Sequence, residues 1–274
     1  MSESSALALV NTWPVETVAV AVANVDGVVA RTGPDTSLPW ASVTKPLTAL
    51  TVLAAIDDGL LSLDDAAGPP GSTVRHLLAH ASGLNFDDDN VMSQPGRRRI
   101  YSNRGFEVLA GFVAERAEGS FRDLMIDLVL DQLDMADTVL EGSPASKVTG
   151  SLSDLVTLGR ELLAPTIAPA LTREAARVAF PGLSGVLPGY GRQDPNDWGL
   201  GFEIRGHKSP HWTGAGNSPE TFGHFGQTGT FLWVDPVAGL ACACLTDRAF
   251  GDWAHPLWPQ LSDAILAEFR PHGS

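Results

Sequence analysis

Two apolar runs stand near the N-terminus, the β-branched Val15–Asn24 (VETVAVAVAN) and Val28–Arg31. The Asp26-Gly27 pair between them predicts a β-hairpin. From Ser42 to Ile56 the pattern changes. SVTKPLTALTVLAAI is apolar on most faces of a helix, which predicts a buried helix stopped by Asp57-Asp58-Gly59. Helical spacing fills the middle of the chain: Val74–His80, Gly105–Glu118, Phe121–Leu133, Ser153–Leu163 behind a Ser-Asp cap, and Thr172–Ala179. Pro181–Asn196 is rich in glycine and proline and reads as a loop. Strand patterns return in Trp198–Ile204, Thr230–Val234 and Gly239–Thr246, and Leu257–Arg270 predicts a closing amphipathic helix. Strands at both ends and helices between them predict an α/β (α+β) fold. One lobe is built from both termini, 1–57 and 197–274, around a helical lobe over 58–196, with a cleft between the two.

Composition narrows the function classes. With 44% hydrophobic and 18% charged residues in a chain of 274, a large core is available and disorder is excluded. A net charge of −14 repels phosphate backbones and anionic lipid, so neither nucleic acid nor a membrane is an expected partner. The one basic cluster, Arg97-Arg98-Arg99, reads as solvated loop. The stretch MSESSALALVNTWP has no basic region and no long apolar core, and no run approaches the roughly 18 apolar residues of a membrane span. A cytoplasmic protein is the expectation. Cys242 and Cys244 lie two apart in an apolar run. On a strand they share a face about 6–7 Å apart, too poorly aimed for a disulfide, and read as small core residues.

Other polar residues are less suggestive. His76 and His80 are spaced for one helix face but lack an H-E-x-x-H pattern, so no metal is expected. His80 is expected to pack or hydrogen-bond within the helical part. His207 and His211 read as surface or rim residues, and Asp87-Asp88-Asp89 as a solvated turn. Trp40, Trp198 and Trp212 are candidates for lining an apolar cleft.

The sharpest chemical signal is Ser42-Val43-Thr44-Lys45. At a helix start, positions i and i+3 share a face, so the Ser42 hydroxyl and the Lys45 amine become neighbours. Pro46 fits only where its amide lacks an intrahelical partner, which fixes the start near Ser42 and sets the positive end of the helix dipole beside it. A serine hydroxyl needs a base, and a buried lysine with a lowered pKa can supply one. Two further elements, Tyr101-Ser102-Asn103 before a helix and Gly223-His224-Phe225-Gly226-Gln227-Thr228-Gly229-Thr230 leading into a strand, are weak signals singly.

In this order and these contexts, the three elements resemble the serine β-lactamase and penicillin-binding-protein superfamily, in its class C-related branch of β-lactamases, DD-peptidases and β-lactamase-like esterases. The likeness runs from about Val15 to Arg248. It implies an antiparallel sheet flanked by helices plus an all-helical lobe, with no cofactor. It further implies Ser42 as the acylated nucleophile, Lys45 and Tyr101 sharing the acid–base work, and Asn103 bonded to Lys45 and substrate. His224 stands in the place of the third-motif lysine, followed by Phe225 and Gly226. An oxyanion hole is implied at the backbone N–H groups of Ser42 and Gln227. Phe225 replaces a small hydroxyl residue and makes this strand edge more apolar, and the chain is short for the branch. These departures favour a serine carboxylesterase acting on a small-molecule ester or amide. The alternatives are β-lactam or DD-peptide chemistry on the same fold, or a binding protein that keeps the cleft without turnover.

Overall fold

The computed structural model describes residues 4–270, so the outermost residues of the expected two-terminus lobe, 1–3 and 271–274, and the first three residues of the stretch read for a leader lie outside the described residues. Strands β1 (Val18–Ala23) and β2 (Val28–Thr32) form the expected hairpin. Its turn is closed by Asn24 Oδ1, which accepts from the Asp26 and Gly27 amides at 2.9 and 3.0 Å. A two-residue strand β3 (Leu38–Pro39) precedes helix α1 (Thr44–Asp57). Helices α2 (Val74–Leu78), α3 (Asn103–Arg116) and α4 (Phe121–Met125) follow, the last widening into a π-type turn to Leu130. Next come β4 (Val139–Leu140), β5 (Val148–Gly150), α5 (Leu152–Leu163) and α6 (Pro169–Ala175). The chain ends with β6 (Gly185–Leu187), β7 (Gly191–Gln193), β8 (Glu203–Ile204), β9 (Phe222–Gly226), β10 (Thr230–Asp235), β11 (Leu240–Thr246) and α7 (Ala254–Phe269).

The main sheet is antiparallel, in the order β2-β1-β11-β10-β9-β8, so the first strands of the chain pair with the last. Its two faces carry different side chains. Ala19, Ala21, Ala241, Ala243, Leu232 and Leu245 face α5 and merge with the core around α1. That alanine floor lets α5 pack close. The opposite face presents Val20, Val22, Phe231 and Trp233 to α7 and the N-terminal 3₁₀ turn Leu7–Thr12. Cys242 and Cys244 sit on this second face, buried and unbridged, as their spacing predicted.

Several expectations need correction. The loop expected over 181–196 holds the β6–β7 hairpin. The small β3-β5-β4 sheet has strands too short to leave a pattern. Of Trp198–Ile204 only Glu203–Ile204 is strand, because Gly201 at φ +91° breaks the extended run. The cap of α5 is Ser151, whose Oγ accepts from the Asp154 amide (3.2 Å), rather than Ser153. Helix α6 begins at Pro169, three residues before the expected start, and α7 likewise begins at Ala254. Arg99 is not solvated. It is 2% exposed and donates to the carbonyl oxygens of Ala79 (2.6 Å), Ala179 (2.7 Å), Asn196 (3.1 Å) and Phe180 (3.2 Å). Only Arg97 and Arg98 are exposed.

Candidate active site

Ser42 lies in a 3₁₀ turn, Ala41–Val43, that leads into α1 two residues later than the sequence suggested. A 3₁₀ turn eclipses residues three apart, so the tighter entry strengthens the Ser42–Lys45 juxtaposition. Ala41, at φ +46°, turns the chain sharply just before the serine. The turn is held from outside by the Trp40 amide bonded to Val148 O (2.9 Å) and by Thr44 Oγ1, which accepts from the Val148 amide (3.1 Å).

Helix α1 is buried along nearly all its length, and this accounts for its lack of an amphipathic stripe. Lys45 is wholly buried within it. Its Nζ donates to Asn103 Oδ1 (2.7 Å), to the Ala145 carbonyl (2.9 Å) and to Ser42 Oγ (3.4 Å). The Tyr101 ring lies 4.7 Å from the same nitrogen. Burial pulls the Lys45 pKa down to about 7, against the opposing fields of Asp87 and Glu107. The Tyr101 hydroxyl donates to Ser42 Oγ at 2.8 Å. Burial pushes the phenol pKa well above its usual value, outweighing the hydrogen bond to Ser42. At neutral pH, Tyr101 is therefore a proton-bearing donor, and Lys45 is the group poised between charged and neutral.

Tyr101 and Asn103 are set by their own local structure. Ser102 caps α3 by accepting from the Gly105 amide (2.9 Å) and donates to Asn85 O (2.6 Å). His80, at φ +53°, accepts the Ser102 amide on Nδ1 (3.1 Å) while its carbonyl accepts the Ile100 amide (2.9 Å). It thus grips the chain on both sides of Tyr101. Burial, followed by the charges of Lys45, His224 and Arg99, holds the His80 pKa well below normal. His76, four positions earlier, pairs its Nδ1 with Thr73 Oγ1 (2.9 Å). The acidic turn is engaged as well as exposed. Asp87 accepts from Asn103 Nδ2 (2.9 Å), and Asp89 from Arg104 (2.6 Å).

The third element is strand β9. Strand β8 pairs only with Phe222 and Gly223, which leaves the edge from His224 to Gly226 unpaired by β8. The end of β9 runs against the serine turn: a Cβ on Gly226 would sit 2.5 Å from Trp40 O and 3.3 Å from the Ser42 amide nitrogen. The next residue is Gln227, which brings the two expected oxyanion-hole residues together. His224 and Phe225 point to opposite sides of the strand. The His224 ring lies 5.7 Å from Tyr101 and 5.5 Å from Trp198, and Phe225 packs on Phe250, Tyr190 and Trp258. Burial, with the charge of Lys45 behind it, lowers the His224 pKa to about 3.

These side chains border a cavity of about 380 Å³, within the range of small-molecule sites. Its polar wall includes Ser42, Tyr101, Asn103, His224 and Gln227, and its apolar wall includes Phe86, Leu187, Pro188, Trp198 and Phe225. Of the three candidate tryptophans only Trp198 lines it, while Trp40 and Trp212 are core.

Sequence reading missed Glu203, which borders the cavity from β8 and is 2% exposed. Its carboxylate accepts from Lys208, from His211 Nε2 (2.9 Å) and from Trp212 Nε1 (2.9 Å). Burial opposes that charge, but His211 and Lys208 outweigh it and hold the Glu203 pKa far below normal. His211 is accordingly buried rather than at the rim, and only His207 is exposed. Its partners Lys208, His211 and Trp212 sit in a glycine- and proline-containing loop with no periodic pattern to mark them. The Ala145 carbonyl, a backbone ligand of Lys45, leaves no sequence signal at all.

An antiparallel sheet covered by helices on both faces, with a serine–lysine pair entering a buried helix, defines the β-lactamase fold of hydrolases. The chain belongs to the Beta-lactamase family, whose model matches residues 9–266. A crystal structure of a β-lactamase from Mycobacterium bovis is 50% identical, superposes with a TM-score of 0.96, and covers 97% of this chain and 100% of its own. A hydrolase with promiscuous acyltransferase activity shares the fold at 16% identity, with a TM-score of 0.78 and coverage of 95% and 96% of the two chains. A putative D-alanyl-D-alanine carboxypeptidase of Salmonella gallinarum is 40% identical over 68 residues. That match spans 24% of this chain and 16% of the Salmonella protein. Among the described residues, no helix is long and apolar enough to cross a membrane.

Proposed function

We propose that the chain is a serine hydrolase acting through an acyl-enzyme on Ser42, with small carboxylic esters as substrates. The observation that carries this reading is the contact of Ser42 Oγ with two groups of opposite readiness: the protonated Tyr101 hydroxyl at 2.8 Å and the buried Lys45 amine at 3.4 Å. In the reactive form Lys45 is neutral and takes the Ser42 proton as Oγ attacks the ester carbonyl carbon. The oxyanion so formed lies toward the Ser42 and Gln227 backbone N–H groups. The carbon–oxygen bond to the alcohol then breaks. The departing alkoxide takes a proton from Tyr101, which is resupplied from Lys45. Water repeats the sequence on the acyl-enzyme, giving up a proton to Lys45 and releasing the acid. Asn103 Oδ1 holds the Lys45 amine beside the serine throughout.

The apolar wall of Phe86, Leu187, Trp198 and Phe225 supports an ester with a short apolar group. A second reading, β-lactam hydrolysis at the same serine, is favoured by the 50% identity to the Mycobacterium bovis β-lactamase. Turnover of a panel of p-nitrophenyl esters and one penicillin by wild type and Ser42→Ala separates the two. Ser42-dependent ester release with a slow penicillin reaction supports the esterase. Rapid Ser42-dependent opening of the penicillin with slow ester release would replace it with the second reading.

A further inference from the structure

His224 is fixed in one tautomer. Its Nδ1 lies 2.7 Å from the Phe225 carbonyl oxygen, which can only accept, so Nδ1 carries the hydrogen. In the neutral ring Nε2 is then a bare acceptor. It is buried and has no hydrogen-bond partner among the described residues, in a side chain that borders the cavity beside Ser42. An unmet buried acceptor is costly, and a ligand bearing a donor removes that cost.

The charges around the cavity point the same way. Among the described residues that border it, none is lysine or arginine, and the one acidic side chain is Glu203. The nearby lysines have no hydrogen to offer a ligand. The neutral Lys45 amine has two, given to Asn103 and Ala145 with its lone pair toward Ser42, and Lys208 spends its three on Glu203, Ile204 O and Asp197 O. A substrate carboxylate entering here would meet the His224 acceptor lone pair and no free cation, because Lys208 is already paired with Glu203.

We infer that this cavity selects by hydrogen-bond polarity: it takes neutral esters whose non-reacting part carries a hydroxyl or N–H donor for His224 Nε2, and it rejects esters bearing a carboxylate. The inference rests on the reading of Ser42 as the nucleophile and adds the substrate class.

The test compares matched pairs. p-Nitrophenyl butyrate against 3-hydroxybutyrate varies the acyl side, and butyl acetate against 3-hydroxybutyl acetate varies the alcohol side. p-Nitrophenyl hexanoate against the adipic half-ester exchanges a methyl for a carboxylate. Each result is a ratio of kcat/KM within one protein, so losses common to both substrates cancel. In wild type the hydroxylated member of at least one pair should react about tenfold faster, and the adipic half-ester at least tenfold slower than hexanoate. In His224→Phe the hydroxyl preference should fall below about threefold. In His224→Lys the penalty on the adipic half-ester should shrink by about tenfold or more. No hydroxyl preference in wild type, a preference that survives in His224→Phe, or an adipic half-ester as good as hexanoate would each overturn the inference. The wild-type ratios decide it even if both variants fail to fold. Absence of Ser42-dependent release from hexanoate itself would instead overturn the esterase reading.

Discussion

Asn103 Oδ1 accepts a 2.7 Å hydrogen bond from Lys45 Nζ across 58 positions of sequence, and this contact ties the second sequence element to the first. It fixes the amine between Asn103, the Ala145 carbonyl and the serine, in a pocket where burial has brought its pKa down to about 7.

The rate should therefore follow the deprotonation of Lys45. kcat/KM on a neutral ester is expected to rise with pH through about 7 and then level off, because the neutral amine is the working form. His224, neutral above about 3, does not contribute to this limb, so its position should persist in His224→Asn. Stability carries the same signature. Between pH 7 and 10.5 the unfolded chain keeps a proton on Lys45 that the folded chain has lost, so stability rises with pH across that window, on the order of a few kcal/mol. Denaturant melts of wild type and Lys45→Met at pH 7 and 10 check this, and the variant should lose most of the rise.

Tyr101→Phe removes the donor on Ser42 Oγ while keeping the ring against His80 and Trp198. kcat should drop by about 10²–10³ with the melting temperature little changed. Stopped-flow acylation with p-nitrophenyl acetate, alongside a thermal melt, reads both.

Gly226→Ala tests the approach of β9 to the serine turn. The added methyl, 2.5 Å from Trp40 O, must push the strand or the turn aside. At least a tenfold loss of kcat/KM is expected, with a stability loss of about 1–3 kcal/mol. Steady-state kinetics and urea melts measure the two effects separately.

Arg99→Met should destabilise the fold by about 3 kcal/mol, because four carbonyl oxygens lose one shared donor. Arg97→Ala and Arg98→Ala, in exposed positions, should stay within about 0.5 kcal/mol of wild type. Urea midpoints for the three variants distinguish the buried arginine from its neighbours.

The contrast between Arg99 and its neighbours shows what the sequence can convey. Ser42, Lys45 and Pro46 were legible because local geometry alone makes residues three apart meet at a helix start. Cys242 and Cys244 were legible because a strand alternates faces. Arg99 looks like its two neighbours in composition, and its burial depends on carbonyl groups up to 97 positions away. Glu203, His211 and Lys208 find one another through an irregular loop, where no period links them. The short β4, β5, β6 and β7 are held by tertiary pairing rather than by their own propensity.

Intact-protein mass spectrometry after brief mixing with p-nitrophenyl butyrate reads directly whether Ser42 becomes acylated. Wild type should gain one butyryl group, lost again as the ester is exhausted, while folded Ser42→Ala should gain none. A butyryl group on Ser42→Ala to the same extent, or ester turnover by that variant at the wild-type rate, would rule out Ser42 as the nucleophile.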